Sequence, residues 1–169
     1  MPTNWRVSDN RSHCKTGMFA ETAVEEGMYG VGTGPNPESS PNASKEITLA
    51  SGEVAQVSKE KHDRAMKVKK GDTLLMADKM TNTVFQGKVL SDPDGPFRPS
   101  SRDTCFKMRV MQREYEKGWN NIYIKNDACQ VDWRVEWKKV GPITPQWIRC
   151  LRPNRLGHTI FEITEGLPQ

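Results

Sequence analysis

The residue types that serve as nucleophiles, general bases and metal ligands are present in the chain but lie far apart. The three histidines, His13, His62 and His158, lack the spacing of zinc ligands, and none of the four cysteines forms a CxxC or CxxH pair. His13 and Cys14 are adjacent, but neighbours in sequence do not share one face of a strand or a helix, so they are poorly placed to act as a dyad. The sequence therefore predicts a protein that is not an enzyme and that needs no metal and no cofactor.

One tryptophan has a sequence context that favours binding. Trp119 lies in the segment Gly118 to Asn121, which has the composition of a polar loop and offers no obvious core for a large ring. A nucleic-acid base that leaves its stack needs flat walls, and each base stacked on an aromatic side chain contributes about 1 to 3 kcal/mol. Trp119 is thus a candidate wall of a base pocket, and the alternative is that it packs beneath its own loop as a lid.

The charge of the chain permits a polyanionic partner without requiring one. Lys and Arg number 25 against 21 Asp and Glu, which gives a net charge of +4 and a pI near 8.9. Lysine and arginine neutralise phosphates and release counterions. Runs of basic residues are often no more than a solvent-exposed surface. Eight basic residues are nevertheless candidate phosphate contacts: Lys67, Lys69, Lys70, Lys138, Lys139, Arg149, Arg152 and Arg155.

Length and composition favour one globular domain over residues 1–169. The chain has 35% hydrophobic residues and a mean hydropathy of -0.74, and no apolar run approaches the roughly 20 residues that cross a bilayer. The N-terminus lacks the apolar segment of a signal peptide, so we expect an intracellular protein of the cytoplasm or nucleus, with no membrane association. Residues 32–45 and 91–103 are rich in Pro, Gly and Ser and are predicted to form exposed loops.

Short strands dominate the predicted secondary structure. The clearest is Gln130 to Val140, where Val131, Trp133, Val135 and Trp137 alternate with polar residues. Further strands are predicted at 4–8, 73–77, 83–90, 104–111, 122–124 and 159–163. Helical segments are predicted at 16–26, at 58–70 and after Thr144, which has the composition of a cap followed by a first-turn proline. The aromatic residues expected in the core are Trp133, Trp137, Phe85 and Trp147. This pattern predicts an α+β fold, a small closed or nearly closed barrel of about six strands flanked by two to three helices.

Several passages resemble the YTH and EVE branch of the PUA-like β-barrels. The run Val131 to Ile143 is similar to the late core strand of YTH domains, and Lys70-Gly71-Asp72 followed by Val84 to Val89 is similar to a passage that YTH and EVE domains share. Trp5 to Asn10 resembles their opening strand. The resemblance implies a PUA-like barrel that binds nucleic acid, RNA or DNA, and holds a modified base in an aromatic cage without catalysis.

The resemblance also implies which residues contact the base. Besides Trp119, it assigns pocket positions to Met28 and Tyr29 and polar edge positions to Ser8, Asp9 and Asn10. Tyrosine stands where YTH domains carry a tryptophan, which makes methylated adenine a less suitable ligand. Two structural alternatives stay open: Tyr29 as a partly buried barrel aromatic, and Asp9 or Asn10 as a cap of the next helix. A different functional class is also open, a structural or packaging protein that binds nucleic acid or protein without a base pocket.

Overall fold

The computed structural model describes residues 1–9, 17–35, 43–101, 113, 114, 116, 126–152 and 159–168. Within these residues the strands are β1 Asn4–Val7, β2 Met28–Gly32, β3 Ser44–Thr48, β4 Val54–Ser58, β5 Thr73–Asp78, β6 Thr83–Val89, β7 Asp94–Phe97, β8 Gln130–Pro142 and β9 Ile160–Ile163. The helices whose bounds are described include α1 Ala20–Glu26, α2 Lys59–Ala65 and α3 Pro145–Cys150, and a 3-10 turn spans Pro99–Ser101.

Six strands form one curled, half-barrel sheet in the order β2-β8-β6-β5-β1-β9, and β7 pairs with β8 beside this path. The β1–β5 pair is parallel, and the other pairs of this sheet are antiparallel. Strands β3 and β4 form a separate two-stranded hairpin. The architecture is therefore a mixed α+β fold with a barrel-like sheet, which confirms the fold class expected from the sequence at this coarse level.

Strand β8 is central in this sheet, as its alternating sequence predicts. The side chains of Val131, Trp133 and Val135 are buried and that of Trp137 is half-buried, because a period of two places them on one face. Gly87 of β6 lies directly opposite Trp137, and a Cβ atom at this position would overlap with the Val135 and Trp137 side chains. The aromatic-x-Gly passage of β6 thus has a packing reason, since only glycine leaves room for the indole ring.

The first half of β8 is buried on its other face as well. Gln130 and Asp132 are 0% and 2% exposed and lie opposite Gly32 and Gly30 of β2. Both glycines lack a side chain, so the longer polar side chains of β8 have space on this face. Neither amide atom of Gln130 has a hydrogen-bond partner among the described residues.

The core divides between the two faces of the sheet. The main cluster contains Trp5, Leu74, Phe85 and Trp133 together with apolar residues of α1 and the end of α2. Helix α3 covers the opposite face, where Trp147 packs with residues of β5 and β6. Thr144 caps this helix by accepting a hydrogen bond from the Trp147 backbone N–H at 3.3 Å, as predicted. The expected core positions of Trp133, Phe85 and Trp147 are confirmed.

The strands and helices that were predicted correctly are those with the clearest local sequence pattern. Strands predicted at 4–8, 73–77, 83–90, 130–140 and 159–163 are present, whereas the helices at 16–26 and 58–70 are shorter than predicted. The predicted strands at 104–111 and 122–124 lie outside the described residues. Sequence reasoning missed β2, the β3–β4 hairpin and β7, and the interval 91–103 predicted as a loop contains β7 with the buried Phe97.

Candidate nucleic-acid interface

The structure brings together Ser8 and Tyr29, two of the residues expected to contact a base. The Tyr29 hydroxyl donates a hydrogen bond to the Ser8 carbonyl oxygen at 2.6 Å, and both residues are almost completely buried, with exposures of 0% and 1%. Met28, in the same strand as Tyr29, is 1% exposed. Asn10 and Trp119 lie outside the described residues. A base contact by this group therefore stays a prediction, and the described contacts of Tyr29 are those of a barrel aromatic.

Asp9 contacts the beginning of α1. Its carboxylate accepts a hydrogen bond from the Ala20 backbone N–H at 3.2 Å, and the Glu114 carboxylate accepts one from the Phe19 N–H at 3.0 Å. The first N–H groups of a helix have no partner within the helix, and negative charge is favourable beside them. Asp9 thus caps the next helix, which was the structural alternative for this residue.

Glycine at position 17 permits the close approach between the opening strand and Tyr29. A Cβ atom there would overlap with the Tyr29 hydroxyl and would lie 2.8 Å from the Ser8 carbonyl oxygen. Gly17 is buried, so no larger residue fits between these two groups. The tyrosine hydroxyl and the end of β1 are therefore held together by packing as well as by their hydrogen bond.

The candidate phosphate contacts are all exposed where the structure describes them, but they fall on two sides of the sheet. Lys67, Lys69 and Lys70 follow α2, whose Ala65 belongs to the main core cluster. Arg149 and Arg152 lie in and after α3, which covers the opposite face. Lys138 and Lys139 are exposed on β8, and Arg155 is outside the described residues. The sheet thus separates the lysines that follow α2 from the arginines of α3.

A cleft of about 620 Å³ lies between α2 and the edge strand β9. Its volume falls within the roughly 300 to 1,000 Å³ of small-ligand sites. The residues that line it and carry its chemistry are Trp5, Lys59, Arg64, Lys67, Phe161 and Glu162. Of these, only Lys67 was selected from the sequence.

Two aromatic rings form the apolar part of the cleft. Trp5 is 6% exposed, and its indole N–H donates a hydrogen bond to Asp72 at 3.0 Å. Phe161 is 5% exposed, and the guanidinium groups of Arg6 and Arg64 lie 5.7 and 5.5 Å from its ring centroid. These distances are typical of cation–π contacts, so Arg64 presents a planar cation at the surface of an aromatic ring.

The charges that line the cleft are partly neutralised within the protein. Asp63 pairs with Lys45 at 2.5 Å, and this hydrogen bond lowers the pKa of the Asp63 carboxyl. Glu60 pairs with Arg64 at 3.0 Å across one turn of α2. Lys59 and Lys67, by contrast, have no ion pair among the described residues. The cleft therefore offers two free ammonium groups to an anionic ligand.

The described cysteines do not add a nucleophile to this arrangement. Burial raises the pKa of the Cys129 and Cys150 thiols, so both are protonated at neutral pH. A thiol reacts as its thiolate, which this environment disfavours. Cys14 and Cys105 lie outside the described residues. Neither of the two described cysteines is among the residues that line the cleft.

Sequence reasoning missed most of the cleft because its residues are distant in the chain. Lys59 and Arg64 are on a short charged helix, and charged helices are commonly solvated surfaces. Trp5 and Phe161 come from the two end strands of the chain, which pair only in the folded sheet. The exposed helix was the one local signal that could have directed attention to Lys59 and Arg64.

The chain matches no protein-family model, and it has no match among the curated proteins or the solved structures. None of the helices in the described residues is long and apolar enough to cross a membrane.

Proposed function

We propose that the chain is a non-catalytic nucleic-acid-binding module that holds a single flipped or unpaired base in the cleft between α2 and β9. The observation that carries the proposal is the combination of Arg64 over the Phe161 ring with two unpaired lysines, Lys59 and Lys67, around one cleft. Stacking surfaces and cations are the two elements of single-strand recognition, since bases stack and phosphates need counter-charges.

Lys59 and Lys67 are the proposed phosphate contacts. Each ammonium that replaces condensed counterions on a single strand contributes about 0.7 to the dependence of log affinity on log salt concentration. Two such contacts therefore account for a slope of about 1.4. Lys69 and Lys70, which follow Lys67 along the chain, extend the positive charge beyond the cleft.

Arg64 is the proposed stacking surface for the base, and the nearly buried rings of Phe161 and Trp5 form the floor of the cleft beneath it. Arginine guanidinium planes and aromatic rings both stack on unpaired bases in RNA and single-stranded DNA complexes. The Glu60 ion pair and the Phe161 contact hold the Arg64 guanidinium in place before a ligand arrives. A side chain fixed in this way loses less conformational entropy on binding.

The YTH and EVE resemblance gives an alternative location for the base, and its support is the order of the similar passages along the chain. It assigns the base to a cage that includes Trp119 and Tyr29. If this assignment is right, Trp119→Ala removes a stacking wall and weakens binding roughly ten- to hundredfold with little change in melting temperature. Unfolding of this variant, or equal affinity of wild type and variant, would contradict the cage.

The experiment that tests the cleft measures binding of fluorescent single-stranded oligonucleotides over a series of salt concentrations. Lys59→Ala combined with Lys67→Ala should weaken binding and lower the salt slope by about 1.4. The matched control is Lys79→Ala with Lys88→Ala, which removes the same charge from exposed positions outside the cleft.

Three other outcomes have distinct meanings. Absence of binding at low salt would refute a nucleic-acid role. An equal loss of oligonucleotide affinity in both double variants would show that binding depends on the net charge of the protein and not on the cleft. A loss in Lys138→Ala with Lys139→Ala, and none in the cleft variant, would place the interface at β8.

A further inference from the structure

Glu162 is the one charged group of the cleft whose role the proposed function does not explain. It is exposed on β9, it lines the cleft, and it has no hydrogen bond or ion pair within the part of the chain that the structure describes. The other two carboxylates of the cleft, Glu60 and Asp63, are bound by Arg64 and Lys45. A free carboxylate repels phosphate, so its position beside two free lysines calls for a ligand group with N–H donors.

The register of the sheet places Glu162 beside an aromatic ring. Trp5 of β1 lies directly opposite Glu162, so the two side chains are on the same face of neighbouring strands. Directly opposed residues have Cβ atoms about 4.5 to 5.5 Å apart. A base that enters the cleft over the exposed edge of Trp5 therefore has its own edge within reach of the Glu162 carboxylate. Among the strands that the structure describes, β9 is the last of the sheet, and none of them covers this edge of the cleft.

The bases differ in the hydrogen-bond donors that they present, and this difference determines which base a carboxylate binds best. A carboxylate only accepts hydrogen bonds, and it does so with two oxygens side by side. Guanine presents two adjacent donors, N1–H and the N2 amino group, whereas adenine and cytosine each present one amino group beside a ring acceptor. Thymine and uracil present a single N–H between two carbonyl oxygens. Hydrogen bonds to a charged acceptor are roughly twice as strong as neutral ones, so this difference is amplified.

From this geometry we propose that Glu162 reads the Watson–Crick edge of an unpaired guanine. The inference rests on the proposed function, because the base must first enter the cleft. It adds specificity: Lys59 and Lys67 hold the phosphates, Arg64 stacks on the ring, and Glu162 distinguishes guanine from the other bases.

The decisive probes are oligothymidylates of about ten nucleotides, a typical site size for single-strand binders, with one central position changed. Guanine at this position should bind roughly ten- to hundredfold more tightly than hypoxanthine, which keeps N1–H but lacks the N2 amino group. Adenine, cytosine and thymine should bind no better than hypoxanthine. Wild-type protein alone gives this result, so it does not depend on the folding of a variant.

Glu162→Gln then tests the residue. Glutamine has one acceptor oxygen and an amide that donates, so the preference for guanine over hypoxanthine should disappear. Affinity for unmodified oligothymidylate should stay equal or rise, because a negative charge has left the cleft. Glu136→Gln is the control, since Glu136 is an exposed carboxylate of β8 outside the cleft, and its variant should keep the preference.

Equal binding of the guanine and hypoxanthine probes by wild-type protein, or an unchanged preference in Glu162→Gln, would overturn the inference. Salt-sensitive binding without base preference would do so while leaving the proposed function intact. Absence of binding to any probe at low salt would refute both.

Discussion

Asp72 connects the opening strand to the turn before β5, and its replacement should reveal how firmly the cleft wall is held. Its carboxylate accepts three hydrogen bonds at 3.0 Å, from the backbone N–H groups of Thr3 and Lys69 and from the indole N–H of Trp5. The residue is 6% exposed. Trp5, which lines the cleft, is thus fixed by the aspartate of the Lys70-Gly71-Asp72 motif.

Asp72→Asn keeps the size of the side chain but cannot satisfy all three donors. One carboxylate oxygen accepts from Thr3 and the other from Trp5 and Lys69, so an amide NH2 in either orientation faces at least one N–H group. A buried donor left without its partner costs about 1 to 3 kcal/mol, and the remaining bonds lose their charge assistance. The expected loss of unfolding free energy is about 2 to 5 kcal/mol, which lowers the melting temperature by roughly 4 to 20 °C.

Urea denaturation of the variant and of Asp92→Asn measures this loss against a control. Asp92 is exposed and accepts one hydrogen bond, from the Lys70 N–H at 3.1 Å, so its variant should lose less than about 1 kcal/mol. A double-mutant cycle with Trp5→Phe isolates the indole hydrogen bond, because the cost of Asp72→Asn should fall when the indole donor is already absent. Equal stability of Asp72→Asn and Asp92→Asn, or no coupling with Trp5, would refute this account of the turn.

Three further predictions concern polar groups that are buried or half-buried. Tyr29→Phe should cost about 1 to 3 kcal/mol of unfolding free energy, because the Ser8 carbonyl loses its hydroxyl donor; normal stability with weakened base binding would instead favour a site role for Tyr29. Gln130→Met should leave the melting temperature unchanged or raise it, since it removes a buried amide without a partner in the described structure, and a clear decrease would contradict this. Burial and the nearby Lys45 ammonium lower the pKa of His62, so the unfolded chain takes up a proton first as the pH falls below about 6.5. Stability should therefore decrease from pH 7 toward pH 5, and His62→Gln should make this decrease smaller in pH-dependent thermal melts.

The elements that the sequence predicted well are those with a strong local pattern. In β8, Trp133 and Val135 alternate with polar residues, and α3 carries a capping threonine before a proline. Strand β2 has no alternation, because Gly30 and Gly32 make room for polar side chains of β8 and the whole strand is buried. The β3–β4 hairpin lies outside the main sheet, and its apolar face is short: Ala55 and Val57 of β4 are buried and only Ile47 of β3 packs beside them, which is too little alternation for a strand to be inferred from sequence.

The candidate site was less accessible to sequence reasoning than the fold. The resemblance assigned Tyr29 and Ser8 to one base pocket, whereas their mutual hydrogen bond and their burial depend on Gly17 and on sheet pairing, which local patterns do not encode. The cleft depends on the pairing of β1 with β9, strands at opposite ends of the chain. Lys67 was selected for its charge alone, and only the folded chain shows that it shares a cleft with Phe161.

The position of Trp5 decides which residues can report on binding. Its ring is part of the main core cluster and also a wall of the cleft, so truncation would remove both buried area and a ligand contact. Truncating a buried tryptophan typically costs about 3 to 5 kcal/mol of folding stability, which would obscure a loss of affinity. Lys59, Lys67 and Glu162 are exposed and have no ion pair among the described residues, so their substitution should leave folding nearly unchanged. Any change in affinity that follows from these three residues can therefore be attributed to the cleft itself.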